Sequence, residues 1–254
     1  MITIALVNQK GGVAKTTSAV NIASNLAELG HKVLAVDLDP QGNLSYNFGL
    51  DIDNLGSTIY NVLAQNVNIE EVIHKTEFGV DIVPSNLLLA NAELEISSKM
   101  NRESILKNAF LKTNLNYDYC ILDLPPNLGL LTLNGLALVD NIIVPLDCGI
   151  FSLAGINQLV SIIQLIKDNN LNPNLEILGV LLTKVDARTN LSKEIYEALG
   201  EIFGDKLFKT QIHQNIKIAE SQKAQQPMNY FLPENRGNVE YKEVTEELIK
   251  RVNG

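Results

Sequence analysis

The sequence predicts an α/β fold: a doubly wound, mostly parallel sheet with helices on both faces. Three observations predict it. Apolar runs at 2–7, 32–39, 119–124, 141–146 and 175–183 are nearly continuous rather than alternating, as befits strands buried on both sides. Stretches of helical periodicity separate them, so strand and helix alternate along the chain. The residues able to do chemistry sit just after strand ends, where ligands bind in such sheets. With 254 residues, 46% of them apolar, one domain spanning 1–254 with an ample core is expected.

Taken in order, the first strand at 2–7 breaks into a Gly- and Lys-rich loop. The helix after it starts near Lys15 and carries Ala19, Ile22, Ala23, Leu26 and Leu29 on one face, with Gly30 as its stop. The second strand, 32–39, ends in a turn at 40–43. Residues 51–77 read as short helices and loops, and 80–83 as a brief strand closed by Pro84. Helices are expected at 90–97 and 103–115, then the strand at 119–124 ended by Pro125 and Pro126. A loop and helix run to 138, followed by a strand at 141–146, a helix at 153–167 and a strand at 175–183. A helix at 191–203, a short strand at 207–212, a helix at 216–224 and a last helix at 239–252 complete the chain.

Composition narrows the setting. No run approaches the roughly 18 apolar residues of a membrane span. The N-terminus has no basic segment before its apolar run, which excludes a signal peptide and predicts a cytoplasmic protein. Cys120 and Cys148 lie in or beside apolar strands and read as reduced thiols. His31, His74 and His213 show no ligand spacing. The net charge is −9, which argues against a general polyanion binder. It is uneven, however: from Lys184 to Lys217 six Lys/Arg outweigh five Asp/Glu.

The chemistry begins at Asn8-Gln9-Lys10-Gly11-Gly12-Val13-Ala14-Lys15-Thr16-Thr17. Gly11 and Gly12 let backbone N–H groups turn toward an anion, and the following helix adds its positive N-terminus. Lys15 supplies a charge for β- and γ-phosphates, Thr16 a hydroxyl for Mg²⁺, and Thr17 reach to an α-phosphate. Two later strands deliver acids to the same edge: Asp37 and Asp39 from one, Asp123 from the other. A bound Mg-nucleotide needs a carboxylate near its metal and a group to orient the attacking water.

The loop departs from the general G-x-x-x-x-G-K-[ST] pattern: Ala14 precedes Lys15, and a second lysine, Lys10, opens it. K-G-G-x-x-K-T-T resembles the deviant phosphate loop (deviant Walker A) of the ParA/MinD family of P-loop ATPases. Val36-Asp37-Leu38-Asp39-Pro40-Gln41-Gly42-Asn43 is similar to the second motif of ParA proteins, and Tyr119-Cys120-Ile121-Leu122-Asp123-Leu124-Pro125-Pro126 to their Walker B strand. Gly129 to Leu136 resembles the segment that follows. Asn127 departs from the small residue expected there, while Cys148 stands where such proteins often carry a cysteine.

The resemblance implies ATP and Mg²⁺ as ligands and slow, partner-stimulated hydrolysis. It implies that Lys10, Gly11, Gly12, Val13, Ala14, Lys15, Thr16 and Thr17 bind nucleotide, with Lys10 crossing to the partner subunit of an ATP-dependent homodimer. Asp39 would position the water, and Thr16, Asp37 and Asp123 would form the magnesium shell. Asp186-Ala187-Arg188-Thr189-Asn190 and Gln214-Asn215-Ile216-Lys217-Ile218-Ala219-Glu220-Ser221 are similar to family segments linked to DNA. Arg188, Lys217 and Lys184 are therefore the DNA-contact candidates, with Lys193 and Lys209 weaker. Contacts would go to phosphates, so binding would be non-specific. The implied role is a ParA-type ATPase, nucleoid-associated, that works with a ParB-like stimulating protein to segregate or position a plasmid, a chromosome region or a protein assembly. The short N-terminus before the loop leaves no room for an operator-binding domain.

Other functions were weighed on the residues. A MinD-like membrane-cycling ATPase needs a basic amphipathic tail, but residues 239–252 carry four glutamates, so no membrane partner is expected. An iron–sulfur protein needs cysteines in loops, and Cys120 lies within a strand. A small-molecule ligase needs a substrate pocket to which no residue points. Thr183-Lys184-Val185-Asp186 is a near miss to the guanine motif N-K-x-D of a GTPase.

Overall fold

The computed structural model describes residues 1–148 and 152–253. Its elements follow the expected alternation: β1 (Ile2–Leu6), α1 (Lys15–Glu28), β2 (Val33–Asp37), α2 (Asn43–Asn47), α3 (Ile59–Gln65), β3 (His74–Lys75), β4 (Val80–Val83), α4 (Leu89–Ile96), α5 (Ile105–Leu111), β5 (Tyr119–Asp123), α6 (Leu130–Leu138), β6 (Asn141–Asp147), α7 (Ser152–Asp168), β7 (Glu176–Thr183), α8 (Asn190–Phe203), α9 (Ile216–Lys223), α10 (Met228–Phe231) and α11 (Arg236–Asn253). The sheet runs β3-β4-β2-β5-β1-β6-β7 and is parallel except for β3 against β4. The fold class predicted from the sequence is the one observed.

The central strands are buried along their full length, which explains why their sequences do not alternate. Successive residues instead feed two cores. Leu34, Val36, Cys120 and Leu122 face one side, with α3, α5 and α6; Val33, Ala35, Tyr119 and Ile121 face the other, with α1 and α11. Burial pushes the Cys120 thiol up, so it stays protonated and is no cluster ligand. In α11 the stripe Tyr241, Val244 and Leu248 is fully buried. Each such side chain contributes about 1.5–3 kcal/mol. The tail therefore spends its apolar face on the core, and among the described residues no helix is long and apolar enough to cross a membrane.

Four expectations need correction. Residues 207–212 do not form a strand. Leu207 and His213 make isolated bridges to Val180 and Val185, but between them the backbone N–H of Lys209 and the hydroxyl of Thr210 turn to Glu247 and Glu243 of α11. The helix expected over 103–115 ends at Leu111, because Thr113 folds its N–H and hydroxyl back onto the Phe110 carbonyl. The last helix starts at Arg236 rather than 239, since Asn235 Oδ1 accepts the Gly237 N–H at 2.9 Å. The turn at 40–43 leads directly into α2. Gly42 makes this passage: it takes φ +65°, and a Cβ there would meet the Ser85 carbonyl at 2.9 Å.

Strand order reverses around β1 and β5, with β2 and β4 on one side and β6 and β7 on the other. The carboxyl ends of β1, β2 and β5 thus open onto one crevice.

Candidate nucleotide-binding site

β1 delivers residues 8–14 into that crevice. The loop is pinned at both ends. Asn8 Nδ2 donates to the Pro145 carbonyl (2.7 Å), and its Oδ1 accepts the Lys10 N–H (2.9 Å). The Thr183 hydroxyl at the end of β7 reaches the Val13 carbonyl (3.1 Å). Gly12 takes φ +76° and Ala14 φ +63° as the residue before α1. A non-glycine residue in that region costs roughly 1 kcal/mol, a strain typical of functional loops. The Ala14 that broke the general motif is held in the conformation glycine usually supplies.

The loop and α1 line a cavity of about 1410 Å³. Lys15 opens α1 and is only 8% exposed. Burial holds its ammonium pKa down, while Asp123 and Asp39 oppose the shift. The Thr16 hydroxyl donates to Asp123 Oδ2 at 2.5 Å. Asp123 Oδ1 is buried with no hydrogen-bond partner among the described residues. Burial first, then the neighbouring Asp37, pushes the Asp123 carboxyl well above the usual range. A buried, half-satisfied carboxylate beside a threonine hydroxyl fits a hard divalent cation, which supplies the missing charge.

The two acids of β2 take different positions. The β2–β5 register sets Asp37 opposite Asp123; neither carboxylate lines the cavity, but Asp123 reaches it through the Thr16 hydroxyl. Asp37 is fully buried; Oδ2 accepts the Ser45 N–H (2.9 Å) and hydroxyl (2.8 Å), and Oδ1 the Asp39 N–H (3.1 Å). Desolvation raises it to about 7. Its geometry is that of an anchor for the turn into α2 rather than of an inner metal ligand. Asp39 does line the cavity, with Oδ1 accepting the Gln41 N–H at 2.9 Å.

Lys10 lies elsewhere. Its Nζ is 2.7 Å from both carboxylate oxygens of Asp147, at the end of β6, and it does not line the cavity of its own chain. Thr17 does, and its hydroxyl accepts from Gln222 Nε2 of α9 at 2.8 Å. Gln222 and Ile218 of α9, with His213 and Tyr241, close the far wall; none was foreseen from the sequence. They come from segments some 200 residues downstream of the loop, and only the fold brings them together.

Of the DNA-contact candidates, Lys184 is exposed, takes φ +54° and lines the same cavity. Arg188 is 86% exposed and forks onto Asp186 (2.8 and 2.9 Å), holding that carboxyl down at about 2. Lys217 pairs with Glu220 at 2.8 Å. Exposed pairs of this kind are screened by solvent and are readily exchanged. Asp186 is engaged by Arg188 and does not line the cavity, whereas Lys184 of the same near-miss motif does.

A family model described as an AAA domain matches residues 1–177. The sporulation initiation inhibitor protein Soj of Bacillus subtilis is 39% identical over 246 residues, covering 96% of this chain and 97% of its own. The chromosome partitioning protein ParA of Myxococcus xanthus is 39% identical over 249 residues, covering 98% and 88%. The structure of cobyrinic acid a,c-diamide synthase from Mycobacterium smegmatis, with bound ADP and magnesium, matches at TM-score 0.87 and 33% identity over 100% of this chain and 96% of that one. Because identity to Soj and ParA extends over nearly the whole chain, and not only over a phosphate loop that many nucleotide-binding proteins share, the chain belongs to the ParA/Soj family of partitioning P-loop ATPases.

Proposed function

We propose that this chain, acting as one domain, is a nucleotide-switched partition ATPase that hydrolyses ATP with Mg²⁺, dimerises on ATP, and holds DNA non-specifically until a ParB-like partner stimulates turnover. The observation that carries the reading is the convergence of Lys15, Thr16 and Asp39 on one cavity, with Asp123 buried behind Thr16, bonded to its hydroxyl and carrying an unpartnered oxygen. Loop N–H groups and Lys15 bind the phosphates. Thr16 and Asp123 would hold the magnesium, which when bound neutralises phosphate charge and polarises the terminal phosphoryl group. Asp39 orients the attacking water and takes up its proton. Lys10 exchanges Asp147 for the partner subunit's phosphates as the dimer closes. Arg188 and Lys217 give up Asp186 and Glu220 for DNA phosphates, Lys184 adds a third contact, and the protein rides the nucleoid.

The test is binding to random-sequence duplex DNA with ADP, with ATP, and with ATP and Asp39→Ala, across a salt series. Binding is expected only with ATP and is strengthened in the variant. With three phosphate contacts per chain, six in the dimer, the log–log salt slope should be roughly −5 to −6. No binding at low salt in any state would mean that the −9 charge prevails and the switch reads another surface.

A further inference from the structure

The loop after Asp123 ends at α6, a helix whose N-terminus has no cap of its own. Gly129 at the cap position offers no side chain, and the first turn carries no acid. The first N–H groups of a helix need acceptors, and the positive end of the helix favours a carboxylate. Glu93 of α4 meets both needs: its Oε1 accepts the Leu131 N–H at 3.2 Å. Gly129 makes the approach feasible. Its φ of −79° suits any residue, but a Cβ there would fall on the Glu93 carboxylate.

This contact bears on the cavity from two sides. In the first turn of α6 the Thr132 hydroxyl donates to the Asn127 carbonyl at 2.6 Å, and Pro125, Pro126 and Asn127 line the cavity. On α4, Ala90, one turn before Glu93, lines it too. The Glu93 carboxylate thus ties α4 to the start of α6, and the Thr132 hydroxyl ties α6 to the loop that lines the cavity. The Pro125–Pro126 pair is stiff, so the loop moves as a unit with its anchored end.

We propose that Glu93 is a positioning residue for hydrolysis: a helix cap supplied by α4 that fixes the loop at 125–128 over the phosphate end of the cavity. The proposal rests on the ATPase reading above for its effect on turnover. Glu93 touches no reacting atom; it sets where the loop stands when the attack occurs.

The experiment compares the full chain with Glu93→Ala, Glu93→Gln, Gly129→Ala and the Glu93→Ala/Gly129→Ala double variant, measuring ATP turnover, ATP affinity, Tm and hydrogen exchange at the Leu131 amide. Losing a cap should slow kcat of Glu93→Ala about five- to tenfold, with ATP affinity within about twofold of the parent. Glu93→Gln keeps an acceptor oxygen and should recover most of the rate. Gly129→Ala displaces an intact Glu93 and should reproduce the loss, and the double variant should be no slower than either single one. Unchanged kcat in Glu93→Ala, or a loss of kcat matched by equal losses in affinity and Tm, would overturn the proposal. So would additive effects in the double variant. A parent chain that turns over no ATP would defeat the ATPase reading instead. Leu131 exchange then still decides the cap: faster exchange in Glu93→Ala and Gly129→Ala supports it, and unchanged exchange removes it.

Discussion

Lys15→Ala is expected to weaken ATP binding by at least about a hundredfold while the nucleotide-free chain stays folded. Lys15 is the cation nearest the centre of the site, at the first position of α1, and is nearly buried. Removing one partner from a buried charge pair costs about 3–5 kcal/mol, because the other charge is left uncompensated; here those charges are the nucleotide phosphates and Asp123. At about 1.4 kcal/mol per decade this exceeds two decades in Kd. The helix N-terminus and the loop N–H groups remain, so residual binding of millimolar strength is expected rather than none. Lys15→Arg should fail nearly as badly, since a planar fork does not fit where a compact ammonium is 8% exposed. Isothermal titration with ATP and Mg²⁺, beside a thermal melt of the apo chain, checks this. Parent-like affinity in a folded Lys15→Ala chain would move the nucleotide elsewhere.

What was legible in the sequence, and what was not, divides by the range of the interactions. The parallel strands were legible because burial on both faces leaves continuous apolar runs, as in 119–124. The phosphate loop was legible because all its chemistry lies within ten residues. The Asp37–Ser45 contact was not, although only eight residues separate the pair, because α2 hides inside what reads as a turn. Longer-range closures left no local signal. Gln222 meets Thr17 across 205 residues, and Lys10 meets Asp147 across 137. The family resemblance implies that Lys10 serves a partner subunit. The single chain gives it an acid of its own, Asp147, a pair that closure of the proposed dimer would break. The edge pairing of β3 was hidden for another reason: two residues are too few for any periodicity.

Asp39→Ala should lower kcat about a hundred- to a thousandfold and leave ATP affinity within a few-fold of the parent, the range expected when a positioned general base is removed. Asp39 heads the turn into α2, and two of its three bonds there are to its backbone: its carbonyl accepts the Gly42 N–H at 2.9 Å and its own N–H is held by Asp37, while its carboxylate takes only the N–H of the exposed Gln41. The substitution therefore removes the reacting group and keeps the frame, and Tm should hardly change. Asp37→Ala should behave in the opposite way. It strips an acceptor from three buried donors: the Ser45 N–H, the Ser45 hydroxyl and the Asp39 N–H. At about 1–3 kcal/mol for each unsatisfied group, the loss outweighs relief from burying an acid. A drop in Tm on the order of 10 °C follows at about 2–4 °C per kcal/mol. The pH dependence separates the two acids further. Burial raises Asp37 from 3.8 to about 7, so between those values the folded, metal-free chain holds a proton that the unfolded chain has released. Stability through this group is full below about pH 4 and is lost as the pH rises toward 7; Asp37→Ala should remove this group's share of the slope and leave that of the similarly raised Asp123, and Asp39→Ala should leave both in place. Turnover, ATP titration and melts from pH 4 to 8 on both variants read all of these. If Asp37→Ala kept its Tm and lost only kcat, Asp37 would belong with the reacting groups, and the division between an anchoring and an acting acid at the end of β2 would fall.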